Sequence, residues 1–125
     1  MLPAGWAWSR VDGAGEVTLG RQRSPKHERG KHMRPYLRVA NVYEDRIDTS
    51  DVLRMNFEPE EVAIYELRDG DILLNEGQSP ELVGRPAIYR GEVPGACFQN
   101  TLIRFRAYEH VDPNYALLVF RHYMH

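Results

Sequence analysis

Long apolar runs, cysteine pairs and an export leader are what this 125-residue sequence lacks. Its longest apolar run is the six residues 115–120, whereas a membrane-spanning helix needs about 20. The single cysteine, Cys97, excludes an internal disulfide and is typical of a reducing compartment. No charged and then apolar leader opens the chain, so a secretory signal peptide is not expected. These absences predict a cytoplasmic protein without membrane contact.

The net charge of −2 conceals two segments of opposite sign. Residues 21–38 hold seven basic residues against Glu28, and residues 44–81 hold twelve acidic residues against three arginines. Clustered lysine and arginine neutralise phosphates and release counterions, so a local basic segment can bind nucleic acid despite an acidic total. The alternative explanation is chance segregation of charges on a solvated surface.

Short apolar segments between polar turns predict an α+β fold rather than a doubly wound sheet. The length suits one compact domain of short, mostly antiparallel strands with a few helices. Alternation and apolar runs predict strands over residues 17–19, 36–43, 72–74, 86–90 and 101–107. Between them, residues 21–35 and 75–80 form polar loops, and a long structureless loop is usually functional or disordered.

Two helices are predicted from their first residues. Glu58 and Pro59 open a short helix that ends near Tyr65, with acidic residues in its first turn. Asp112 caps a second helix, because its carboxylate accepts from free backbone donors and Pro113 suits the first helical position. Residues 115–120 of this helix are apolar nearly all round, so we expect it to be mostly buried.

Candidate catalytic groups have simpler structural explanations. The run Asp112-Pro113-Asn114-Tyr115 nearly spells the Asp-Pro-Pro-Tyr loop of amino-methyltransferases, but the second proline and a glycine-rich cofactor loop are missing. Zinc sites need three or four ligands at characteristic spacing, which the histidines do not provide. The histidines and the thiol considered for such roles are His27, His32, His110, His122, His125 and Cys97. We expect no catalytic residue, metal or cofactor.

Gln99 and Asn100 are two adjacent amides that precede a predicted strand. Asparagine and glutamine can bond an adenine edge bidentately in the major groove, whereas arginine prefers guanine. Amide side chains also stitch turns together. Both interpretations stay open here with equal weight.

Six segments, taken in order, carry a family resemblance: Leu2-Pro3-x-Gly5-Trp6, Tyr36-Leu37-Arg38-Val39-Ala40-Asn41-Val42, Leu67-x-x-Gly70-Asp71-Ile72-Leu73, Val83-Gly84-Arg85-x-Ala87, Phe98-Gln99-Asn100-x-Leu102-x-Arg104 and Asp112-Pro113-x-Tyr115. Together they resemble the target recognition domain of the specificity (S) subunit of type I restriction–modification systems. The resemblance implies a DNA-binding α+β domain with long polar recognition loops that recognises one half of a split target. It also implies that methyl transfer and DNA cleavage belong to partner methyltransferase and restriction subunits.

The resemblance covers nearly all of residues 1–125, which we expect to form a single recognition domain without the family's long connecting helix. Family loops vary, so the contact residues are chosen from their chemistry, with cations for phosphates and mostly amides for positioning or base readout. The candidates for contacts with phosphates, with guanines as a second possible target, are Arg21, Arg23, Lys26, Arg29, Lys31 and Arg34. The candidates for positioning or base readout are Asn75, Gln78, Arg85, Gln99 and Asn100.

Two rival functions remain. A small metal or thiol hydrolase would use Cys97, His110 or the terminal histidines. A protein-interaction domain would use the acidic residues 44–81 to mimic DNA, and would bind a basic partner instead of a duplex.

Overall fold

The computed structural model describes residues 15–43, 46–75, 86–109 and 111–123. Its elements, in chain order, are β1 (Gly15–Leu19), β2 (Met33–Leu37), β3 (Val42–Tyr43), β4 (Arg46–Ile47), β5 (Leu53–Asn56), α1 (Pro59–Tyr65), β6 (Ile72–Asn75), β7 (Ala87–Ile88), β8 (Cys97–Phe98), β9 (Leu102–Ala107) and α2 (Pro113–Tyr123). Short 3-10 turns lie at Pro25–His27 and Val39–Asn41. The predicted α+β class with mostly antiparallel strands is confirmed. No helix within the described ranges is long and apolar enough to cross a membrane.

The larger sheet is antiparallel throughout, with strand order β1-β9-β6-β7. Phe105 in β9 is paired with Val17 on one side and with Ile72 on the other. Helix α2 covers this sheet with Ala116 and Leu117, which are buried in a cluster with Ile72 and Phe105. Apolar burial of this kind is the main stabilising contribution to the fold.

A second sheet has the order β5-β2-β8, in which β2 runs antiparallel to β5 and parallel to β8. Tyr36, Met55, Phe57 and Cys97 form its buried cluster. A further cluster includes Leu37 and Phe98 of this sheet with Leu73 and Leu102 of the larger one. The two sheets therefore pack around a shared apolar interior.

Both helices begin as predicted. The Glu61 carboxylate accepts a hydrogen bond from the Glu58 N–H (3.0 Å), and Pro59 occupies the first turn of α1. Asp112 Oδ1 accepts from the Asn114 N–H (2.8 Å) at the start of α2. These local contacts satisfy backbone donors that a helix leaves free at its N-terminus.

Over residues 113–118, the part of α2 whose side chains the structure describes, the expectation of a mostly buried helix is not met. Tyr115 is 66% exposed and Leu118 is 60% exposed, whereas Ala116 and Leu117 are buried. In this part of the helix, one side packs against the sheet and the other faces solvent.

The strand predicted over residues 36–43 is also wrong in its bounds. It starts earlier, at Met33 within the predicted loop, and ends at Leu37. Residues 39–41 turn because buried Asn41 accepts the Arg38 N–H at Oδ1 (3.0 Å) and donates from its amide to the Asp48 and Asp51 carbonyls. This local side-chain bonding competes with continuation of the strand. The sequence patterns do not predict strands β4, β5 and β8.

Candidate nucleic-acid interface

The structure brings the two predicted contact segments together. We call residues 21–34 the basic loop and residues 99–100 the amide pair. The start of the basic loop runs beside the amide pair, with Arg21 and Gln99 in a parallel bridge. The Arg21 N–H donates to the Phe98 carbonyl (3.0 Å), and the Asn100 N–H donates to the Arg21 carbonyl (3.0 Å). The start of the basic loop is therefore adjacent to the amide pair.

The close approach of these segments depends on Gly20. Its N–H donates to the Leu102 carbonyl (3.1 Å), which fixes the end of β1 against the start of β9. A Cβ at position 20 would collide with the Gln99 carbonyl, so a side chain there would push the two segments apart. On the other side, the Gln99 N–H donates to the Leu37 carbonyl (2.9 Å), which ties the amide pair to β2.

Arg21 itself is directed into the protein, where it is 4% exposed. Its guanidinium carbon lies 4.5 Å from the Phe57 ring centroid, and its Nε lies 2.9 Å from Glu61 Oε2. Its Nη1 donates to the Asn56 carbonyl. These contacts occupy the guanidinium, so we assign Arg21 to the scaffold of the site rather than to the phosphate-facing surface.

Arg34 is half-buried at the far end of the basic loop. Its Nη1 lies 2.8 Å from Glu66 Oε2 and 3.3 Å from the Gly95 carbonyl. A phosphate at this guanidinium would therefore have to compete with an existing carboxylate partner.

The other four predicted cations of the loop face solvent. No ion pair or hydrogen bond to their side chains is observed within the described ranges. They are Arg23, Lys26, Arg29 and Lys31. The 3-10 turn Pro25–His27 shapes the loop between them, with the Glu28 N–H donating to the Pro25 carbonyl (3.1 Å). Burial and the nearby Arg21 lower the pKa of the His27 imidazole, so neutral pH leaves it largely uncharged.

The three predicted amides in the described part of the chain differ in exposure. Gln99 and Asn100 are half-exposed, and no side-chain hydrogen bond of either is observed among the described residues. Asn75 is 4% exposed at the end of β6, paired in register with Leu102. Its amide atoms have no hydrogen-bond partner among the described residues. Asn75 thus lies at the same end of the sheet as the amide pair but beneath the surface. Gln78 and Arg85 lie outside the described residues.

A concave surface of about 290 Å³ adjoins the end of the basic loop. Three basic side chains and four apolar ones line it: Lys31, His32, Arg34, Met33, Phe57, Pro59 and Val62. Its volume is at the lower limit of small-molecule sites, which run from roughly 300 to 1,000 Å³. Because its three basic side chains belong to the basic loop, the concave surface is continuous with the cationic surface of that loop.

Among the described residues, three carboxylates of the acidic segment lie against the basic loop. Helix α1 and its flanks lie against the basic loop, and carboxylates that are clustered in the sequence pair there with loop residues. The pairs are Glu61 with Arg21 (2.9 Å), Glu66 with Arg34 (2.8 Å) and Glu58 with His32 (3.9 Å). Sequence spacing gave no indication of these contacts, since the partners are 26 to 40 residues apart.

The thiol considered for hydrolysis is inaccessible. Cys97 is fully buried between β2 and the chain interior, and burial raises the pKa of its thiol to about 12. A thiolate nucleophile would need a lowered pKa and exposure. Its suggested partner His110 lies outside the described residues. Within the described ranges, no three His, Cys, Asp or Glu side chains are grouped as metal ligands.

The chain matches no protein-family model, and a search of curated proteins finds no match. The family resemblance therefore rests on the six sequence segments alone.

Proposed function

We propose that this chain is a sequence-specific DNA-binding module that recognises one half of a bipartite restriction–modification target. In this proposal it works in the cytoplasm and directs partner methyltransferase and restriction subunits, without a catalytic group of its own. One observation carries the proposal: the loop that holds four exposed cations, without ion-pair partners among the described residues, starts directly beside the half-exposed amides Gln99 and Asn100.

The two groups suit the two components of a DNA interface. Arg23, Lys26, Arg29 and Lys31 can neutralise phosphates, which contribute most of the affinity but carry no sequence information. Gln99 and Asn100 present amides that can both donate and accept, as an adenine edge in the major groove requires. The strands beside them hold these groups on a rigid base, which favours recognition of a defined geometry.

The rival functions receive less support. A DNA mimic needs free carboxylates, whereas Glu61 and Glu66 are paired with arginines of the same chain. A thiol hydrolase needs an accessible thiolate, whereas Cys97 is buried with a raised pKa.

The test is binding of the purified chain to labelled duplexes, with selection of bound sequences from a random pool. We expect weak binding, because a half-site lacks the gain in effective concentration that linked half-sites have. Four phosphate contacts predict a log–log salt slope of about −3.6, at roughly −0.9 for each phosphate neutralised. Absence of binding at low salt, or binding that does not respond to salt, would contradict the proposal.

A further inference from the structure

Two residues of the basic loop, Arg21 and His32, contact one residue, Asn56 at the end of β5. At the start of the loop, Arg21 Nη1 donates to the Asn56 backbone carbonyl. At its return, the His32 N–H donates to Asn56 Oδ1 (2.7 Å). The next backbone bond, from the Phe57 N–H to the His32 carbonyl (2.9 Å), extends the closure into the sheet. Asn56 thus contacts residues 21 and 32, which lie on either side of the exposed loop cations.

The Asn56 side chain is itself fixed. It is 7% exposed, and its Nδ2 donates to Glu58 Oε1 (2.8 Å), which leaves Oδ1 directed at the His32 amide. Gly30 approaches the same amide group so closely that a Cβ there would collide with it. The loop is therefore packed against Asn56 as well as hydrogen-bonded to it.

Residues 21–32 form a surface segment that contacts Asn56 through the side chain of its first residue and the backbone of its last. Its twelve residues carry Arg23, Lys26, Arg29 and Lys31, all exposed. A flexible loop of this length would lose conformational entropy when it binds a polyanion. The contacts at Asn56 reduce the entropy lost on binding, because residues 21 and 32 are already held in place in the free protein.

We propose that Asn56 is a positioning residue that anchors the return of the basic loop and so holds its exposed cations in place for phosphate binding. The inference rests on the proposed function, since it takes the polyanion to be duplex DNA. Asn56 contacts no phosphate and carries no charge, so it acts only through the loop that it holds.

Because Asn56 is uncharged, its substitution does not change the charge of the DNA-binding surface. Asn56→Ala removes the acceptor for His32 and the donor for Glu58 but leaves every loop cation in place. The matched control is Asn41→Ala, because Asn41 is also buried and bonds three backbone groups, but outside the basic loop. Affinity for a mixed-sequence duplex is measured well below the melting temperature of each variant.

We expect Asn56→Ala to bind the duplex about tenfold more weakly, with Asn41→Ala within about twofold of the parent. Hydrogen–deuterium exchange provides a readout without DNA: the His32 amide should exchange faster in Asn56→Ala and at the parent rate in Asn41→Ala. Parent-like affinity in folded Asn56→Ala would overturn the inference, as would unchanged exchange at His32.

A second variant and a measurement on the parent chain distinguish failure of this inference from failure of the proposed function. If Asn56→Ala does not fold, Gly30→Ala opens the loop from its own side by placing a methyl group against the Asn56 amide, with the same expected losses. If the parent chain binds no duplex at low salt, the result contradicts both the proposed function and the phosphate-binding role of the loop. If the His32 amide then still exchanges faster in Asn56→Ala than in the parent, Asn56 holds the loop but the loop has no role in DNA binding.

Discussion

Arg21 Nε lies 2.9 Å from Glu61 Oε2, and this ion pair joins the most basic segment of the chain to the most acidic one. The arginine side chain is 5% exposed and the glutamate side chain 27%, so the contact is shielded from water on one side. The loop that carries exposed cations is thus attached to helix α1 by a cation of its own. Opposite charges that lie far apart in the sequence thus form an ion pair that connects the basic loop to α1.

Two arginines of the same loop should therefore respond differently to substitution. Arg21→Ala should lower the free energy of unfolding by about 2–3 kcal/mol, less than for a fully buried pair because Glu61 keeps contact with water. Arg23→Ala, on the exposed part of the loop, should leave stability within about 0.5 kcal/mol. Urea denaturation measures both. Parent-like stability of Arg21→Ala would show that its internal contacts contribute little.

The sequence predicted those elements whose own residues carry a clear local pattern. The strand alternation over residues 101–107 corresponds to β9 (Leu102–Ala107), and the proline-led acidic turn corresponds to α1 (Pro59–Tyr65). The predicted strand over residues 36–43 failed because the side chain of Asn41 turns the backbone at its own position. Strand β5 (Leu53–Asn56) is held in register by β2, a contact that no local pattern encodes.

The candidate site was predicted in composition but not in geometry. Arg21 and Arg23 are the same residue type two positions apart, and only the packing of Phe57 and Glu61 separates their environments. The role of Asn56 could not be predicted from the sequence, because its burial depends on the pairing of β5 with β2. Once that environment is known, a buried asparagine in a strand stands out, since asparagine is disfavoured there and needs hydrogen-bond partners.

Asp71 is the carboxylate whose loss should destabilise the chain most among its described ion pairs. It is 1% exposed and accepts two 2.8 Å bonds from Arg106 Nε and Nη2. Asp71→Ala leaves a partly buried guanidinium without its partner, and we expect a loss of roughly 3–5 kcal/mol. The control is Asp51→Ala, whose exposed pair with Arg38 should contribute less than about 1 kcal/mol. Equal losses in urea denaturation would contradict this ranking.

Cys97 should not react in the native protein. Burial raises the pKa of its thiol to about 12, so almost no thiolate is present near pH 8. We expect iodoacetamide to leave the folded chain unmodified at that pH and to alkylate it in concentrated urea. Mass spectrometry measures the alkylation. Rapid alkylation of the native protein would contradict this prediction and would support the thiol hydrolase hypothesis.

Methyl transfer should be absent from the isolated chain. The run from Asp112 to Tyr115 caps α2 through the Asp112–Asn114 contact, so its chemistry is accounted for by helix initiation. We expect no labelled methyl group to pass from S-adenosylmethionine to DNA when the purified chain is incubated with both. Labelled DNA in this assay would overturn the non-catalytic role.

Lys31 should contribute affinity without sequence preference. It is exposed beside the concave surface, where a phosphate can approach it. Lys31→Ala should weaken binding to preferred and random duplexes equally and reduce the salt slope by about 0.9. A loss confined to the preferred duplex would instead place Lys31 at a base edge.

Asn100 should contribute sequence preference. Its N–H bonds the Arg21 carbonyl, a contact that Asn100→Ala keeps, so the substitution removes only the half-exposed side-chain amide. We expect it to cost roughly 1–3 kcal/mol on the preferred half-site and little on random DNA, which narrows the difference between the two. Affinity for both duplexes is measured beside the melting temperature. If the variant melts several degrees lower and keeps its preference, the amide serves the turn and contacts no base.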